Sequence, residues 1–164
     1  AGVEALEKGF ASEDVHDCKT TPGADLFLAR KLAPPAGSDN WTHQHGDVSN
    51  SVASREMNVR APLGLLWFGG PSNAGVLPRH GHGPSPQVVD GRVIIEGRDM
   101  LRAIDAYTGR LLWERALKDF GVPYDNTDHQ PGANILGGNY ASMPDGIYAI
   151  YKKGCLKQIG RAHV

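Results

Sequence analysis

Asp99-Met-Leu-Arg-Ala-Ile-Asp-Ala-Tyr-Thr-Gly-Arg-Leu-Leu-Trp-Glu-Arg115 is the stretch on which the fold turns. Two apolar runs, Met100–Ile104 and Leu111–Trp113, flank a segment in which Asp105, Thr108 and Gly109 are spaced for a tight reversal. That pattern predicts two antiparallel strands. A competing reading lays an amphipathic helix over Leu111–Phe120, because Leu112, Ala116 and Phe120 share a helical face and Glu114, Arg115 and Lys118 favour helix. Recurrence favours strands. Asp90-Gly91-Arg92-Val93-Ile94-Ile95 and Asp145-Gly146-Ile147-Tyr148-Ala149-Ile150 each read as a turn followed by a strand, the second beginning 55 residues after the first. Asp-Gly also suits a two-residue hairpin, where both central positions need positive φ.

Working outward, the first four-stranded unit is predicted as Ser85–Val89, Arg92–Glu96, Met100–Ile104 and Arg110–Ala116. A second begins near Tyr140–Met143, continues through Ile147–Tyr151 and is cut within its third strand. Upstream, Pro62-Leu63-Gly64-Leu65-Leu66-Trp67-Phe68 reads as a further strand, an outer strand of a closing or partial unit.

The order Leu101-x-Ala103-x-Asp105-x-x-Thr108-Gly109-x-x-x-Trp113 resembles the repeat of the pyrroloquinoline-quinone-type (quinoprotein-like) β-propellers. Trp41-Thr42-His43-Gln44-His45-Gly46-Asp47-Val48-Ser49-Asn50-Ser51 is similar to the sequence that leads into the first blade in that family. The resemblance covers about Trp41 to Gln158 and implies an all-β fold. That fold is a partial β-propeller of four-stranded antiparallel blades, with about two of the four to eight that propellers contain. A short α/β or irregular N-terminal segment precedes it. Within the family the alanine, glycine and tryptophan lock each blade to its neighbour. Trp113 is therefore expected to cover the turn of a neighbouring blade, with Gly109 leaving room for such a contact.

The same resemblance implies pyrroloquinoline quinone with calcium as cofactor, in a periplasmic or cell-envelope protein. Its implied function is a quinone-dependent oxidoreductase. The alternative is a non-catalytic scaffold for protein interaction or outer-membrane assembly. No stretch matches the family's catalytic segments, so no catalytic residue is assigned.

Residues 1–40 read as the tail of an upstream domain ending in the linker Leu32-Ala33-Pro34-Pro35-Ala36-Gly37-Ser38, with near-helical spacing over Ala1–Asp17 and a short strand or helix over Ala24–Leu32. Residues 41–158 form the partial propeller. Ile159-Gly160-Arg161-Ala162-His163-Val164 is what the sequencing-library adapter ATCGGAAGAGCACACGTC encodes, so residues 159–164 are expected to be a scar foreign to the fold. A formal charge of −1 over 164 residues gives no basic footprint, so nucleic acid is not an implied partner. No apolar run approaches the ~20 residues of a membrane-spanning helix. Cys18 and Cys155, the two cysteines, make no disulfide framework.

Chemistry is expected in the loops that join one unit to the next, Gly69–Pro84 and Phe120–Asn139. Both precede an innermost strand, so both should emerge on one face, and long Gly- and Pro-rich loops on a rigid scaffold tend to carry function. Arg79, His80, His82, His129 and Asn139 are the candidate cofactor-binding residues, for a small-molecule ligand or a protein partner on that face. Alternatively, these histidines simply hold loop structure. His80-x-His82 suits a metal in outline, but no third ligand follows by spacing and no metal site is assigned. Asp125, Asn126 and Asp128 read better as turn formers than as a calcium cluster, and Asp105 better as a turn cap than as a base.

Overall fold

The computed structural model describes residues 34–78, 82–126 and 131–158, together with the backbone of 18–20 and 27–29. The chain divides into two compact units, Ala1–Ser38 with Glu56–Asn58, and Asp39–Arg55 with Val59–Val164. In the first unit β1 (Cys18–Thr20) pairs antiparallel with β2 (Phe27–Ala29), so the strand option for Ala24–Leu32 holds in part. The helical spacing over Ala1–Asp17 lies outside the described residues.

The second unit is built of two antiparallel sheets. The first runs β3 (Gln87–Val89), β4 (Arg92–Gly97), β5 (Met100–Asp105) and β6 (Leu111–Ala116), in that order. The other runs β7 (Tyr140–Met143), β8 (Gly146–Tyr151) and β9 (Gly154–Gln158). The strands β3 to β8 lie within a residue or two of their predicted positions, and β9 is the third strand of the second unit, for which no bounds were predicted. Leu111–Phe120 is not a helix. Its first six residues pair with β5 from Met100↔Ala116 to Ile104↔Leu111, through an irregularity between Ala103 and Ile104. Pairing satisfies the backbone while Leu112 and Trp113 still pack against the core, and that outweighs weak helix propensity.

The turns form as their residues dictate. Asp90 and Gly91 both take positive φ, at 48° and 73°, which matches the right-handed twist of a two-residue hairpin. Asp105 caps its turn as expected, its Oδ1 accepting the N–H groups of Tyr107 and Thr108 at 2.9 Å each.

The core lies between the sheets. Ile94, Leu101 and Ala103 from the first meet Tyr140, Ile147 and Ala149 from the second, with Leu117 and Phe120 of the connecting loop between them. Arg102 is buried with its charge fully used. It takes Glu114 in a two-pronged ion pair at 2.7 Å and donates to the carbonyls of Ser72 and Ala74, tying the 72–74 loop to β5. The lead-in segment runs along the inner edges of both sheets. Trp41 exchanges two backbone hydrogen bonds with Val88 of β3 (2.7 and 2.8 Å), and Ser142 of β7 donates to Thr42 O at 2.9 Å.

The strand expected over Pro62–Phe68 does not form. A strand needs an edge to pair with, and none of the described residues offers one there. The segment stays extended and exposed, with Leu63, Leu65, Leu66 and Phe68 between 69% and 94% accessible. Trp67 alone is half-buried.

Trp67, rather than Trp113, covers the Asp105–Gly109 turn. Its indole N–H donates to Ala106 O at 3.0 Å, and a Cβ built on Gly109 would stand 2.5 Å from the indole ring. Gly109 has φ of +69°, so the turn needs glycine twice over, for its backbone and for the indole's approach. The expected contact type is present, but its tryptophan comes from the segment preceding the sheet. Trp113 instead packs beside the core, and its indole nitrogen is buried without a hydrogen-bond partner among the described residues.

Candidate functional site

Of the five candidate residues, Arg79, His80 and His129 lie outside the described residues. His82 begins the short stretch leading into β3. Its carbonyl accepts the N–H of Ala133 at 2.9 Å, and Gly132 packs so closely on it that a Cβ there would lie 2.2 Å from His82 Cβ. Pro84 lies against Gly138 as well. The loops that precede the two sheets therefore adjoin at their downstream ends, and Gln44 Oε1 helps hold them by accepting the Ser85 N–H at 2.8 Å.

Asn139 turns inward. Its side-chain amide donates to Glu96 Oε1 at 2.9 Å, which joins the residue before β7 to the far end of β4. Glu96 is only 4% exposed, and among the described residues its Oε2 has no hydrogen-bond partner; Asn139 Oδ1 is likewise buried and unpartnered among them. Burial pushes the Glu96 carboxyl from the usual value of 4.5 to about 7, and the Asn139 hydrogen bond offsets only part of that rise.

Two phenols face this carboxyl. Tyr124 and Tyr140 are both held above the ordinary phenol range, first by burial and then by the charge of Glu96. Tyr140 OH lies 2.9 Å from Ser85 O and 3.1 Å from Ile94 O, while Gln87 Nε2 donates to Tyr140 O at 2.9 Å. These bonds stitch the inner strand of the second sheet to the first.

Glu96 was not among the residues singled out from sequence, although a signal existed. In Arg92-Val93-Ile94-Ile95-Glu96-Gly97, strict alternation puts Glu96 on the same face as Ile94, which is fully buried. A carboxylate on a core-facing strand position is a sign of altered protonation.

Beside the junction lies a cavity of about 320 Å³, lined in part by Phe120, Tyr124, Asn139, Tyr151 and Lys152. Three aromatic rings, Phe120, Tyr124 and Tyr151, contribute to its walls. Lys152 Nζ stands 5.1 Å from the centre of the Tyr151 ring, and Tyr151 OH donates to Lys118 O at 2.9 Å. Glu96 is not among the residues that line this cavity, although its partner Asn139 is.

Calcium takes about six to eight oxygen ligands. The Glu96–Asn139 pair offers two unpartnered oxygens, and the described residues contain no group of three or more His, Cys, Asp or Glu side chains. Arg79, His80 and His129 lie outside the described residues, and no reaction step is derived through calcium or a quinone.

No protein-family model, no curated protein and no solved structure matches the chain. Among the described residues no helix is long and apolar enough to cross a membrane. Among the described residues the fold is all-β in class, with antiparallel sheets of two, four and three strands.

Proposed function

We propose that the two sheets are consecutive blades of a quinoprotein-like β-propeller, and that the protein works as a binding platform. The adjoining loops before β3 and β7 present its ligand- or partner-binding face. The observation that carries this reading is the seat of Trp67, whose indole caps the Gly109 turn and donates to Ala106 O. A tryptophan on one unit closing the outer turn of the next is a contact that can repeat around a ring. The junction at Gln87 and Tyr140 supports the reading from the inner side, since it joins the first strands of successive sheets. Arg79, His80, His82 and His129 belong to the proposed face by their place in the loops. Asn139 supports that face from below, through Glu96.

The platform reading is preferred to the oxidoreductase because no stretch of the chain matches the family's catalytic segments. Calorimetric titration of pyrroloquinoline quinone with calcium into the chain tests the choice, with a variant carrying alanine at Arg79, His80 and His82 alongside. The platform reading expects no saturable heat from either protein. Saturable binding by the wild type, lost in the variant, would replace it with a cofactor site on this face.

A further inference from the structure

Glu96 and Asn139 share one hydrogen bond and keep one spare oxygen each. Asn139 Nδ2 donates to Glu96 Oε1 at 2.9 Å, while Glu96 Oε2 and Asn139 Oδ1 are buried without a partner among the described residues. With the carboxyl ionised, both spare atoms are acceptors, and buried acceptors are costly to leave unpaired. One proton on Oε2 resolves this, because a carboxylic acid both donates and accepts. The surroundings supply no other donor. Gly121 lies close enough over the carboxyl that a Cβ there would stand 3.3 Å from Oε1, and Leu101 of β5 pairs opposite Glu96 across the ladder. The titratable groups that feel its charge are Tyr124 and Tyr140. Their hydroxyls are engaged elsewhere, with Gly137 O for the first and with Ser85 O and Ile94 O for the second. Among the described residues no cation offsets the burial of Glu96.

We infer that Glu96 and Asn139 are a proton-operated latch on the joint between the two sheets. With Glu96 protonated, Oε2–H donates to Asn139 Oδ1 and closes a two-bond acid–amide ring. Loss of that proton breaks the second bond, sets two oxygens against each other and frees the Asn139 amide. Asn139 stands immediately before β7, and its carbonyl accepts the Ile150 N–H of β8 at 2.7 Å, so the latch ties the start of the second sheet to the end of β4. Asn139 also lines the cavity beside Tyr124 and Tyr151. The same proton therefore decides whether its amide is tied back to β4 or free toward that cavity. The carboxyl's value of about 7 places the change near neutral pH. The latch needs the two sheets and their joint, not the reading of them as blades.

Nuclear magnetic resonance of the whole chain, from about pH 5 to about pH 9, tests it. The carbon-13 signal of Glu96 Cδ should titrate with a midpoint of about 7, and the Asn139 side-chain amide protons should move with the same midpoint. Exchange of the Ile150 amide reports the joint. It is taken relative to Glu96→Gln at each pH, so that base catalysis cancels. The glutamine amide donates where the acid did and keeps the latch closed at every pH. The ratio, wild type over variant, should rise at least about fivefold across the range, the worth of one hydrogen bond. A ratio that stays level would overturn the latch. So would a Glu96 carboxyl already ionised at about pH 5, as a water bridging the two oxygens would leave it, or an Asn139 amide indifferent to the titration. If the variant does not fold, the wild-type titration decides alone.

Discussion

Trp67 and Trp113 end the same Leu-Leu-Trp tripeptide in opposite settings. Around Trp67 the backbone has no sheet, yet the indole is fully engaged, with an acceptor at 3.0 Å and a glycine turn beneath it. Around Trp113 the backbone pairs with β5, yet the indole nitrogen is buried with no partner among the described residues. The difference separates two jobs. Strand pairing builds a sheet, whereas the tryptophan binds the sheet that follows. Trp67 meets its following sheet at Asp105–Gly109.

The largest effect should come from filling the seat of Trp67. Gly109→Val forces a left-handed turn residue and drives a side chain into the indole. The two effects together are expected to cost about 3 kcal/mol or more. Urea denaturation would show it as a lowered midpoint, and a midpoint unchanged from wild type would break the tryptophan-on-turn half of the comparison.

The joint between the sheets differs from the outer contact in carrying a titratable group. The Glu96 carboxyl is raised to about 7 in the fold and lies near 4.5 when exposed. Between those values the folded chain holds a proton that the unfolded chain has released, so stability falls as pH rises through this window and levels off above it. The fall is on the order of 3 kcal/mol. Glu96→Gln keeps an acceptor for Asn139 and removes the titration. The stability difference, wild type minus variant, should therefore decline from pH 4.5 to 7. A flat difference would show that Glu96 does not bear on the joint.

The smallest effect sharpens the same joint. Tyr140→Phe deletes the hydroxyl that bonds to the first sheet and leaves the ring packed, so about 1 kcal/mol should be lost in the same denaturation assay. A loss near zero would mean that the hydroxyl adds nothing to the joint.

Strand positions were legible because the hairpins announce themselves. Asp90-Gly91 and the Asp105–Gly109 turn fix where β4 to β6 begin and end, and alternation fills in the rest. Pro62–Phe68 misled because strand-like composition says nothing about whether an edge is within reach. The glycine seat was legible and its occupant was not, since which tryptophan reaches Gly109 depends on a contact 42 residues away in sequence. Asn139 was found for its place in a loop, but its partner lay hidden on a core strand. A lone carboxylate draws little notice among apolar neighbours unless the alternating face is followed residue by residue.

Hydrogen exchange of the indole N–H groups, resolved by nitrogen–proton correlation spectra with the tryptophans assigned, tests the central claim most directly. The account expects the Trp67 indole proton to be protected in the wild type and to exchange freely in Gly109→Val. A Trp67 proton that exchanges as fast as in an unfolded peptide, or one whose protection ignores the Gly109 substitution, would contradict it.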